Sequence, residues 1–254
     1  MQLRYIIIAM ILCVILFTTV GTTSDIQNQP YVTEDPSSYL VQKAQENRLI
    51  LFGTHHKNSG IHSLILNTLP ELVAKAGVDT LFVEIPACQQ PAIDRFLKGE
   101  APVDDIQISQ IIASSTYQEI LLKARDLKMN IIAIDKNDPS PLSRDEWMAR
   151  HVGSYLNDHP DSKGLIKVGE RHVLKGIQWA HTDEPSLADH LKMFTPFSVM
   201  TWPDGTDSTL PIAMDINPLD FQGVKDPTLK ALNTKPEVSI ATTADGIILM
   251  PRSN

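Results

Sequence analysis

Short apolar runs alternate with longer amphipathic stretches along most of the chain, and this alternation predicts strands and helices in turn. Residues 49–53, 80–85, 130–134 and 165–169 are apolar runs of strand length. Helical spacing covers residues 61–76, 92–98 and 144–156. Residues 104–127 carry Ile106, Ile108, Ile111, Ile112, Tyr117, Ile120, Leu121 and Leu122, a pattern that fits one helix or a pair of helices better than a strand. Ser143, with Glu146 three residues on, predicts a capped start for the helix at Arg144. The order β-α-β-α-α-β-α-β implies an α/β fold, a mainly parallel sheet flanked by helices on both faces. Residues 197–202 and 246–250 are expected to add strands at an edge. Between them, residues 203–236 contain Pro203, Pro211, Pro218, Pro227 and Pro236 and predict a long irregular segment, either a lid or a cover for short hidden elements.

The N-terminus changes the picture of where the domain begins. Residues 5–20 are almost wholly apolar, follow Arg4 and give way to Gly21-Thr22-Thr23-Ser24-Asp25, as in a secretory signal or anchor. The run is shorter than the roughly 20 residues a spanning helix needs, which favours a cleaved signal over a retained anchor. Residues 1–24 are therefore read as leader, 25–38 as a flexible tether and 39–254 as one α/β domain. The expected compartment is periplasmic or extracellular, with the membrane involved only through residues 5–20. Loss of the leader removes Cys13 and leaves Cys88, so no intramolecular disulfide forms; Cys88 reads as a small buried thiol. The net charge of −8 argues against nucleic acid as a partner, leaving a small-molecule or peptide substrate.

Two matching tetrads carry the chemistry. Gly53-Thr54-His55-His56 and Gly169-Glu170-Arg171-His172 each follow a strand-like run, and Glu84 ends a third. Residues just past parallel strands meet in one crevice however far apart they lie in sequence. Two histidines and a carboxylate there suit a metal or an acid–base site, with His56, Glu84 and His172 as the candidate set. Gly53 and Gly169 let the backbone turn sharply behind these groups, and His55, pointing away from His56, is expected to support them. Asp135 ends its own run as Glu84 does and adds a candidate carboxylate. Glu170 reads as a general acid or base, or as the acceptor that orients His172. Arg144 opposes the helix dipole at its own helix start, so it needs an anion, either Glu84 or a substrate carboxylate; pairing with Asp145 or Glu146 at the surface is the alternative. His62, His151, His159, His181 and His190 are scattered, and Tyr117 and Tyr155 read first as core.

Gly-Thr-x-His, a strand-end Glu, Arg144-Asp145-Glu146-Trp147-Met148-Ala149 and a second Gly-x-x-His together resemble the superfamily of Tiki and TraB proteins, erythromycin esterases and ChaN-like haem-uptake lipoproteins. The resemblance spans residues 49–176. On the Tiki side it implies a divalent metal, manganese, cobalt or zinc, held by His56, Glu84 and His172 for hydrolysis of an amide or ester, with Glu170, Asp135 and Arg144 as catalytic partners. On the esterase side it implies water activation by the same histidines and acids without an obligatory metal, and on the ChaN side haem binding. Thr54 stands where the esterase and ChaN branches carry Glu, which favours the Tiki and TraB side. The leading expectation is an exported, metal-dependent hydrolase; the alternatives are a haem- or cofactor-binding uptake protein and a non-catalytic binding module.

Overall fold

The computed structural model describes residues 34–56, 58–137, 139–180, 183–216 and 239–251. The leader, His181 and most of the long irregular segment lie outside them. The first helix among the described residues is α1 (Pro36–Glu46), with Pro36 in its first turn and the Asp35 side chain accepting from the Ser38 N–H. This helix starts inside the stretch expected to be tether. Then come β1 (Leu49–Thr54), α2 (Ser59–Ala76), β2 (Thr80–Pro86), α3 (Gln90–Leu97), α4 (Ser115–Asp126), β3 (Asn130–Asp135), α5 (Arg144–Asp158) and β4 (Gly164–Gly169). They are followed by a short α6 (Leu187–His190), β5 (Phe197–Thr206), β6 (Ile212–Asp215), α7 (Ile240–Thr243) and β7 (Gly246–Pro251).

Local chemistry sets the helix boundaries. Asn58 caps α2 by accepting from Ile61 N–H at 3.1 Å, and Gly77, at φ 71°, ends it in the left-handed conformation that a side chain resists. Ser143 caps α5 as the sequence predicts, accepting from Glu146 N–H at 3.1 Å. The stretch 104–127 is helical only from Ser115, because the Ser114 hydroxyl accepts from Tyr117 N–H and starts a new helix there.

The seven strands lie in the order β3-β2-β4-β1-β5-β7-β6. All pairs are parallel except β6 with β7. The edges are thus β3 and β6, the latter inside the segment expected to be irregular, while β5 and β7 are interior. Every residue of β1 and β4 is buried, as in parallel strands covered on both faces. One face packs Phe52, Leu81 and Leu165 against Tyr39 of α1, Ile65 and Leu69 of α2, Phe96 of α3 and Ile120 of α4. The other packs Leu51, Phe82 and Ile166 against Met148 and Val152 of α5 and Leu187 of α6.

This strand order brings the motifs together. Inserting β4 between β1 and β2 makes the two tetrads neighbours, with Gly53 opposite Val168 and Thr54 opposite Gly169. Glu84 leaves the strand on the other side of β4, and Asp135 the strand beyond that, where Pro86 and Asp135 pair after a register shift.

Candidate active site

Beyond the carboxyl ends of β1, β4, β2 and β3, the side chains form one connected polar network. Its centre is Arg144, the first residue of α5. Its Nε donates to Asp135 Oδ1 at 2.6 Å and its Nη2 to Asp135 Oδ2 at 2.9 Å, a two-pronged grip, while Nη2 also reaches Glu84 Oε1 at 2.6 Å. Burial alone would lower the guanidinium pKa, but these two carboxylates hold it above its ordinary value. It is a permanent cation. The anion that a cation at a helix start needs is therefore supplied by Glu84 and Asp135, not by Asp145 or Glu146.

Glu84 is 4% exposed, and both of its oxygens are occupied: Oε1 by Arg144, and Oε2 by the Gly169 N–H at 2.7 Å. His172, 1% exposed, donates or accepts at both ring nitrogens. Its Nδ1 meets Asp145 Oδ1, and the other Asp145 oxygen accepts from Trp179 Nε1 at 3.1 Å. Its Nε2 faces Arg144 Nη1 at 3.4 Å and Glu84 Oε1 at 3.7 Å. An arginine can only donate, so Nε2 carries the lone pair and Nδ1 the proton given to Asp145. Burial pushes the Asp145 carboxyl pKa up, but His172, the Trp179 indole and the charge of Arg171 outweigh it and hold the pKa below the usual value.

His56 stands across Gly169 from this group. A Cβ built on Gly169 would lie 2.9 Å from His56 Nε2 and 3.6 Å from Glu84 Oε2, so only glycine lets the imidazole approach the strand end. His56 Nδ1 is buried and without a hydrogen-bond partner among the described residues. Burial lowers the His56 pKa; Glu84 opposes this, and the charges of Lys167 and Arg144 reinforce it. Gly53 has a similar reason to be glycine, since a Cβ there would lie 2.7 Å from Val173 Cγ2 and 3.0 Å from Glu170 Cα.

His55 and Glu170 form a second, more open pair, with His55 Nε2 2.6 Å from Glu170 Oε2 and 3.1 Å from the Thr201 carbonyl. Glu170 also accepts from the Thr201 N–H at 3.3 Å and hydroxyl at 3.2 Å. It therefore positions His55 and does not orient His172. That task belongs to Asp145, which the sequence reading passed over as a surface partner for Arg144. The sequence carries no signal for it: Ser143 and Glu146 account for the cap without Asp145, and only the way the first turn of α5 faces brings it to His172. Cys88 is exposed, not buried, because it lies in the short turn after β2.

The expected metal set does not fit this geometry. Both Glu84 oxygens are taken, and the His172 lone pair faces a guanidinium. Among the described residues no group of three or more His, Cys, Asp and Glu side chains is arranged to hold a metal ion. The positive centre of the crevice is Arg144 itself.

No family model matches the sequence, and no curated protein is significantly similar to it. Solved structures are similar in fold. ChaN of Campylobacter jejuni, described with cofacial haem binding, aligns with a TM-score of 0.54 at 11% identity over 84% of this chain and 91% of that one. An erythromycin esterase, EreC, in its open conformation gives 0.58 at 9% identity over 85% and 93%. A succinoglycan biosynthesis protein gives 0.60 at 10% identity over 91% and 96%. The chain has the ChaN/erythromycin-esterase-like fold. At these identities the likeness carries the fold alone, and the chemistry rests on the network just described.

Proposed function

We propose that the crevice is a hydrolytic site for an ester or amide bond, run by a histidine–carboxylate pair and a fixed arginine and not by a bound metal. The observation that carries this reading is His172, whose Nδ1 is tied to buried Asp145 while its Nε2 lone pair faces Arg144. A water reaching Nε2 displaces the long Arg144 contact and gives its proton to the imidazole, and Asp145 stabilises the imidazolium that forms. Arg144, released at Nη1, offers a donor to the oxyanion that develops on the attacked carbonyl. The His172 imidazolium then gives that proton to the leaving group, while His56, kept neutral by burial, lies against Gly169 beside the strand ends. The expected export of the protein agrees with an extracytoplasmic hydrolase, and the Tiki/TraB relation rests on the sequence motifs alone: the two tetrads, Glu84 and the Arg144–Ala149 segment.

The likeness to ChaN supports a second reading, haem or another flat cofactor bound at the strand ends, with His56 as the histidine available to it. The two are separated by one pair of measurements on the purified chain. Turnover of a panel of p-nitrophenyl esters and anilides, abolished in His172→Ala and resistant to chelator, supports hydrolysis. A saturable Soret shift with haemin, lost in His56→Ala, together with no turnover, supports the cofactor reading instead.

A further inference from the structure

Directly beneath the crevice, on the α2/α4 side of the sheet, lies a second polar group that the proposed reaction does not use. Lys167, in the middle of β4, is 2% exposed, and it has neither a hydrogen bond nor an ion pair with any described residue. Its ammonium instead lies 4.0 Å from the centre of the Tyr117 ring. Tyr117, from the first turn of α4, and His62, from the first turn of α2, are each 1% exposed, with ring centroids 6.1 Å apart. Tyr117 Oη and His62 Nε2 are buried without hydrogen-bond partners among the described residues, as is His56 Nδ1. The carboxylate whose charge reaches Lys167 is Glu84, and it is already paired to Arg144.

A buried cation without a counterion, beside a phenol and an imidazole without acceptors, is costly unless something arrives to satisfy all of them. We propose that Lys167, Tyr117 and His62 form a subsite for a small oxyanion, a carboxylate carried by the substrate whose scissile bond lies at His172. Each group is suited to donate to such an acceptor: the ammonium, the phenol, and the imidazole in its Nε2–H form. Burial keeps His62 neutral, its pKa pushed down to about 4, so it brings no charge of its own, and Lys167 supplies the positive charge. His56 links the two sites: its Nε2 lies against Gly169, and it interacts electrostatically with both Lys167 and His62. Lys167 and Gly169 lie two residues apart on β4, so the strand that carries the subsite also ends at the candidate site, and one ligand with an acid and an ester or amide is the molecule that would use both.

The assignment rests on the hydrolytic reading only for the identity of the bound molecule; binding itself is tested without turnover. The full chain is titrated with acetate, with the neutral isostere acetamide and with monomethyl succinate, while side-chain resonances of the histidines are followed by NMR. Acetate is expected to shift His62 saturably and acetamide is not. Lys167→Met and Tyr117→Phe are each expected to weaken acetate by roughly tenfold or more, and Lys98→Met, at an exposed lysine, to leave it unchanged. Monomethyl succinate is expected to bind roughly tenfold tighter than acetate, because its ester reaches the crevice. No saturable shift, or equal acetate affinity in Lys167→Met and the native chain, overturns the subsite. Equal affinity for acetate and monomethyl succinate overturns its assignment to the substrate.

Discussion

His172 and Asp145 are joined Nδ1 to Oδ1 in the interior of the protein, the imidazole 1% and the carboxylate 4% exposed. Such a pair fixes both the tautomer and the direction of the ring, which leaves the Nε2 lone pair facing Arg144. The same pair ties the site to stability, since removing one partner strands the other in a medium that solvates it poorly.

Asp145→Asn keeps the shape and removes the charge. It is expected to lower kcat by about 10² to 10⁴ while the folded structure persists, because the amide favours the wrong histidine tautomer. Asp145→Ala is expected to cost about 3 to 5 kcal/mol in urea unfolding. The pH dependence has a definite sign. The Asp145 pKa is lower in the folded chain than in the unfolded one, so its contribution is present above the unfolded value of 3.8 and is lost as pH falls through the folded one. Acid unfolding of the Asp145→Asn variant is expected to be less steep below about pH 4.

Arg144→Ala tests the claim that a guanidinium takes the place of a metal. It leaves Glu84 and Asp135 without their shared cation beside the free Nε2 of His172. The variant is expected to bind zinc or manganese more tightly than the native chain, read by calorimetry on the purified proteins, and to lose turnover. Equal metal binding by the two would contradict the geometry.

The glycines separate stability from activity. In Gly53→Ala the new methyl meets the Glu170 backbone at 3.0 Å as well as Val173, and a loss of about 1 to 3 kcal/mol is expected on chemical unfolding. In Gly169→Ala the methyl meets mainly the far end of the His56 side chain, at 2.9 Å, which can swing away. That variant is expected to unfold at nearly the native denaturant midpoint yet turn over substrate at least roughly tenfold more slowly.

Much of this crevice is legible in the sequence, for a reason visible at Gly53 and Gly169. A strand run that ends in glycine and then presents a histidine leaves a local mark, and β1 and β4 carry the same one. Glu84 and Asp135 are legible in the same way, as acids ending apolar runs. Asp145 is not, because its role depends on which way the first turn of α5 faces, and Ser143 and Glu146 account for the capping pattern without it. Lys167, His62 and Tyr117 are hidden for a different reason. They lie in separate elements at positions where a core residue is expected, and only the packing of α2 and α4 on β4 makes them neighbours. The edge strand β6 is obscured by the prolines around it.

Lys167 also gives the stability curve a signature. Burial lowers its pKa from 10.5 to about 7, against the pull of Glu84. Between those values the unfolded chain holds a proton that the folded chain does not, so stability rises with pH from about 7 to 10.5. Below that window the cost of burying the cation is fully present. Tyr117, His62 and His56 face the same space, and Lys167→Met, which leaves them in place, is expected to abolish the rise in urea midpoints measured across the window.

The most direct test of the central claim is the hydrolysis rate of the full chain after exhaustive removal of metal, measured beside His172→Ala on the same ester. The account predicts that the stripped protein keeps its rate and that the variant falls by about 10³. A stripped protein as slow as His172→Ala, restored by manganese, cobalt or zinc, would contradict it.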